Sequence, residues 1–123
     1  MSAELLLIGV DGGATEVKAH AARCDDLAAA RVFELRPETA SRVYPRVDTF
    51  TPVPVAEQLA QRESGRLALT DHERQQGRLW IEATAEAIAD VARQAEAQRV
   101  LVGVGMPGLK TPDARGINAI NNG

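Results

Sequence analysis

The chain has 123 residues, a net charge of −3, 45% hydrophobic and 25% charged residues, which suits one globular domain or part of one. The acidic balance, with no dense Lys/Arg run, argues against nucleic acid as a partner, and the apolar stretches fall short of the roughly 20 residues that span a bilayer. The single cysteine, Cys24, excludes an internal disulfide and a cysteine zinc site, and Met1-Ser2-Ala3-Glu4 lacks the basic opening of a signal peptide, so a cytoplasmic location is expected.

Residues 5–10 are short, apolar and bounded by turn residues, which predicts a fully buried strand. In residues 15–23, Val17, Ala19 and Ala21 alternate with Glu16, Lys18 and His20, the pattern of a half-buried strand turned back through Gly12-Gly13. Asp25-Asp26 makes the next turn, and residues 29–36 are expected to complete a three-stranded antiparallel meander. Residues 37–54 hold four of the six prolines and read as a long irregular excursion, with an edge strand near 42–47. Such loops form lids, binding elements or disordered segments.

A short helix is predicted over 54–62, with Pro54 in its first turn and Gly65 after its end. The strongest helix signal covers 71–98. Thr70 and Glu73 fit a capping box, and Trp80, Thr84, Ala87, Ile88, Val91 and Ala95 fall on one face. Gly77 weakens the early part and marks a place for a kink or break. Residues 99–104 form a second buried strand, placed parallel to the first after the helix. Gly105-Met106-Pro107-Gly108 ends it in an abrupt turn, and 109–111 pairs with 117–120 as a hairpin.

Two glycine-rich elements carry chemistry. In Asp11-Gly12-Gly13-Ala14-Thr15, a strand ends in a carboxylate and passes into a turn whose missing side chains let backbone N–H groups approach an anion. The bland reading is a tight hairpin that needs positive φ. Neither a Rossmann fingerprint nor a P-loop is present. Gly103-Val104-Gly105-Met106-Pro107-Gly108 ends the predicted parallel strand, where open α/β sheets bind ligands. If the two strands are adjacent, Asp11 and the Met-Pro-Gly turn leave the same sheet edge.

In this order, about 90 residues apart, the two motifs resemble the N-terminal lobe of the actin-like ATPase superfamily, closest to the ROK group of sugar kinases. The resemblance implies an α/β fold: a partial actin-like (ribonuclease H-like) ATPase lobe, with a three-stranded antiparallel meander and a parallel strand reached through a long helix. Residues 1–123 would be a single incomplete N-terminal lobe, with the Pro-rich stretch as an insertion. The cofactors implied are ATP and Mg²⁺, and the substrate is a sugar. Asp11 would meet Mg²⁺ through water, and Gly12, Gly13, Ala14 and Thr15 would meet the nucleotide phosphates. Ala14 departs from the family motif, approximately D-x-G-G-T-x-x-K, by standing in place of its second glycine; its methyl narrows the approach and restricts positive φ. Lys18 either reaches the phosphates or is a solvated strand lysine. Pro107 and Gly108 would lie beside the sugar, and Asn121 and Asn122 either contact its hydroxyls or form a plain turn.

His20 reads as a packing or solvent-facing strand residue, His72 as a helix first-turn residue without a catalytic partner, and Cys24 as a thiol with no basic activator. The family's general base follows the Gly-x-Pro-Gly turn by several dozen residues, which is past Gly123. The chain is therefore expected to be the N-terminal piece of a longer kinase, inactive alone. Its uncovered sheet face and strand edge are expected to self-associate. A BadF-type activator ATPase lobe, a ROK-type sugar-sensing regulator and a non-catalytic partner-binding domain stay open as alternatives.

Overall fold

The structure is a computed structural model that describes residues 5–24, 28, 33–48, 51–65, 69–113 and 117–119. It is an α/β arrangement with a four-stranded mixed sheet and two helices. In chain order come β1 (Leu5–Gly12), β2 (Glu16–Arg23), β3 (Glu34–Val43), α1 (Val55–Glu63), α2 (Asp71–Gln94) and β4 (Arg99–Gly105). A small hairpin, β5 (Leu109–Lys110) with β6 (Ile117–Ala119), follows. The sheet order is β3-β2-β1-β4. β1 is antiparallel to β2 and parallel to β4, and β2 is antiparallel to β3.

One face of this sheet makes the core. Leu6, Ile8 and Val10 of β1 and Val17, Ala19 and Ala21 of β2 are buried against Ala83, Ala87 and Val91 of α2, with Tyr44 beside them. The alternation of strand side chains puts these residues on one side. The alanines of α2 carry no bulk, so the helix axis can approach the sheet closely. Fully burying Ile8, Val17 and Val91 contributes about 1.5–3 kcal/mol each. The predicted helix face agrees in Thr84, Ala87 and Val91, with Trp80, Ile88 and Ala95 half-buried at its margins.

Four expectations are corrected. The third strand runs over Glu34–Val43, not 29–36, and so absorbs the first part of the Pro-rich stretch; residues 29–32 and the Asp25-Asp26 turn lie outside the described residues. Ala22 pairs with Leu35 and His20 with Thr39, so Arg36, Pro37 and Glu38 face the single residue Ala21. Pro37 fits because this bulge lies in an edge strand, where its missing N–H breaks no ladder. The His20 Nε2–H donates to the Arg36 carbonyl at 2.7 Å and secures the bulge.

The second correction concerns β1 and β4, both read as fully buried. β1 alternates, burying only its even-numbered residues, and β4 is exposed along almost its whole length. The reason is that α2 packs over β1, β2 and β3 on one face alone. Third, α2 is continuous through Gly77. Fourth, it stops at Gln94 rather than 98. The N–H of Ala97 reaches the Ala92 carbonyl at 2.9 Å and that of Glu96 reaches Arg93 at 3.1 Å. This is a Schellman stop, with Glu96 at φ 51° in the position that glycine usually fills.

β3 is tied to α2 by polar contacts. Arg42 pairs with Asp90 and lies 3.5 Å from Glu86, and Gln94 donates to the Thr39 carbonyl at 2.9 Å. Gln76 accepts from the Val47 N–H at 2.8 Å and so fastens the segment after β3. At the start of α2 the capping box is complete: Thr70 Oγ1 accepts from the Glu73 N–H, and the Glu73 carboxylate accepts from the Thr70 N–H.

The two helix ends make predictions of opposite sign. Thr70→Ala removes a cap and should lower stability in urea unfolding by about 1 kcal/mol. Glu96→Gly relieves the left-handed backbone at the C-terminus and should raise it by about 0.5–1 kcal/mol in the same measurement.

Candidate functional site

The C-terminal ends of β1 and β4 lie side by side. In the register Asp11 is the neighbour of Gly105 on one side and of Lys18 on the other. The buried positions of β1 are 6, 8, 10 and 12, so Asp11 points to the uncovered face and is exposed. Among the described residues no hydrogen bond or ion pair engages its carboxylate. Lys18 is exposed on the same face, its Nζ 4.0 Å from Glu16 Oε2, a weak solvated pair.

The turn between β1 and β2 is closed by the Gly13 N–H, which donates to the Glu16 carbonyl at 3.0 Å. That amide is committed to the hairpin, so Gly13 does not offer it to an anion. Ala14 and Thr15 form the exposed tip, and their N–H groups have no partner among the described residues. Neither glycine of the turn has positive φ, and neither does Ala14. The restriction expected from the alanine methyl on the backbone therefore does not arise.

Space, not backbone angle, explains the two glycines. A Cβ on Gly13 would stand 2.8 Å from the Glu16 carbonyl oxygen. A Cβ on Gly12 would stand 3.0 Å from the Trp80 ring, 3.3 Å from Met106 Cβ and 3.4 Å from the Gly105 oxygen. Gly12 is thus where the turn, helix α2 and the loop after β4 meet. In that second loop Gly108 has φ 123°, a conformation L side chains rarely adopt, so here glycine is required. Pro107 and Gly108 are exposed. Asn121 and Asn122 lie outside the described residues.

Tyr44 was not expected in the site. Its hydroxyl donates to the Gly13 carbonyl at 2.5 Å, and its N–H donates to the Thr15 carbonyl at 3.1 Å. The Gly13 and Thr15 carbonyls are thus both engaged from the end of β3, while the Ala14 and Thr15 N–H groups make no such bond among the described residues. Only 8% of Tyr44 is exposed, and burial pushes its phenol pKa above the usual value, slightly opposed by the charge of Arg46. The available signal was slight: the chain's one tyrosine, next to a proline, in a sequence with 3% aromatics.

Among the described residues no group of three or more His, Cys, Asp or Glu side chains could hold a metal. Asp11 is a single carboxylate. No helix of the described residues is long and apolar enough to cross a membrane. No family model matches the chain, and no curated protein or solved structure matches it.

Because Tyr44 is the sole tyrosine, absorbance at 295 nm follows it directly. Its midpoint should lie above pH 10, and unfolding in urea should return it to about 10. The folded-state pKa is the higher one, so stability from this group is full below about pH 10 and falls as pH rises through the folded value. Tyr44→Phe should remove that alkaline loss.

Proposed function

We propose that this chain supplies one wall of the phosphate site of a ROK-like sugar kinase, an actin-like protein that transfers the γ-phosphoryl group of ATP to a sugar hydroxyl. The observation that carries the reading is the parallel register of β1 and β4, which sets Asp11 beside Gly105. Both glycine-rich loops then leave one edge of the sheet, at the carboxyl ends of parallel strands, where such sheets bind ligands. The identities of nucleotide and sugar come from the sequence resemblance, and the geometry adds the juxtaposition.

The residues fit an anion at the tip of the turn. Among the described residues the N–H groups of Ala14 and Thr15, with the Thr15 hydroxyl, are donors without partners, and Tyr44 engages the neighbouring carbonyls. Asp11 also fits Mg²⁺, which is commonly held by one or two carboxylates together with substrate phosphates and waters. When bound, Mg²⁺–ATP supplies the transferable phosphoryl group and its charge neutralisation. Asp11 would orient the metal through water, Lys18 would add positive charge from the adjoining strand, and Pro107-Gly108 would bound the sugar. The resemblance places the general base past Gly123, so these residues bind and orient while proton transfer falls to a group outside them.

Titrating ATP with Mg²⁺ into the ¹⁵N-labelled chain should move the amide resonances of residues 11–15 and 105–108, with weak affinity. Asp11→Asn should weaken the effect severalfold. Shifts clustered elsewhere, or none at millimolar nucleotide, would sink the proposal.

A further inference from the structure

The two edges of the sheet are built differently. β3 carries Glu34, Arg36, Glu38 and Arg42, a proline and a bulge, the usual protections of an edge strand. β4 carries none of these except one charge, Arg99. Its seven residues, RVLVGVG, pair with β1 without a register shift, and among the described residues its outer side is unpaired in the sheet. Val100, Leu101 and Val104 are 41%, 53% and 45% exposed.

We propose that two copies of this chain join β4 to β4, antiparallel, into one continuous eight-stranded sheet, with Arg99 of each copy set beside Asp11 of the other. The strand is complementary to itself. A two-fold axis at Val102 is the arrangement that pairs all seven residues: Val102 meets its own copy, Val100 meets Val104, Leu101 meets Gly103, and Arg99 meets Gly105. On the helix-facing side this joins the valines into one apolar band that continues the row of Leu6, Ile8 and Val10. α2 lies over β1, β2 and β3, leaving that band room. On the opposite side each Leu101 lies over Gly103 of the other copy, where even an added Cβ would meet nothing within 4 Å.

Charge supports the same register. Arg99 of one copy faces Gly105 of the other, which has no side chain, and Gly105 is the neighbour of Asp11. Two strand spacings, about 9–10 Å between backbones, are within the combined reach of an arginine and an aspartate. Like charges nowhere face each other across the axis. Asp11 is exposed and makes no hydrogen bond or ion pair among the described residues, so a cation from a second copy gives it one. Arg99 of a second copy and Mg²⁺ would compete for Asp11; the pairing is tested without nucleotide or metal, so its failure is distinguishable from failure of the phosphate reading.

Sedimentation velocity of the full 123-residue chain over a range of concentrations should show a reversible monomer–dimer equilibrium. Leu101→Lys changes an exposed position, should leave far-UV circular dichroism unaltered, and should make the chain monomeric. Arg99→Glu should weaken the dimer about fivefold, and Asp11→Lys added to it should restore the affinity. A chain that stays monomeric throughout, or a dimer indifferent to Leu101→Lys, would overturn the interface. Failure of the double charge reversal to restore affinity would overturn the register. Should the lysine variant unfold, the charge-reversal pair decides alone.

Discussion

Because β1 is bonded to β2 on one side and to β4 on the other, while its even-numbered residues are pressed under α2, its position is fixed in all three directions. Leu6, Ile8 and Val10 cannot slip by one residue without moving to the uncovered face. The consequence appears at the strand's end. A fixed register places Asp11 beside Gly105 and brings the turn after β1 against the loop after β4. Gly12 marks that junction, since an added Cβ would crowd Trp80, Met106 and the Gly105 carbonyl at 3.0–3.4 Å.

The same constraint gives the turn its polarity. β3 is long enough to bring Tyr44 beneath the tip, and there the phenol and the main-chain N–H take up the carbonyls of Gly13 and Thr15. With those two carbonyls engaged, the amides of Ala14 and Thr15 make no hydrogen bond among the described residues. A short two-residue tip thus acquires donors without needing positive φ or a helix behind it. The arrangement differs from a P-loop, where a helix N-terminus lies behind the loop amides; here Tyr44 packs beneath the turn instead.

Much of the layout was legible because its signals are local. The alternation of Val17, Ala19 and Ala21, the Thr70–Glu73 cap and the small-residue face of α2 each need only neighbours in sequence to be read. The exceptions share a cause. The four prolines of 37–54 read as an irregular excursion, yet Pro37 sits within β3, an edge strand where no ladder needs its N–H, and only the sheet order reveals that. The apolar runs 5–10 and 99–104 looked buried on both faces because hydrophobicity records what a residue tolerates, not what covers it. Tyr44 went unnoticed because 31 residues separate it from the carbonyl it binds. The glycine pattern suggests an open amide at Gly13, but the hairpin itself consumes that N–H.

By itself the sequence determined the kinds of element and their order: an apolar strand ending in aspartate, a glycine turn, a meander, a capped helix and a strand ending in a glycine loop. These follow from propensity and periodicity, which act over a few residues. Tertiary structure alone decided which residues share the edge of the sheet, which glycines are needed for space, which face lies bare and what holds the turn. Those are properties of pairs distant in the chain, set by strand register and by the area one helix can cover. Asp11 and Gly105 are neighbours for that reason.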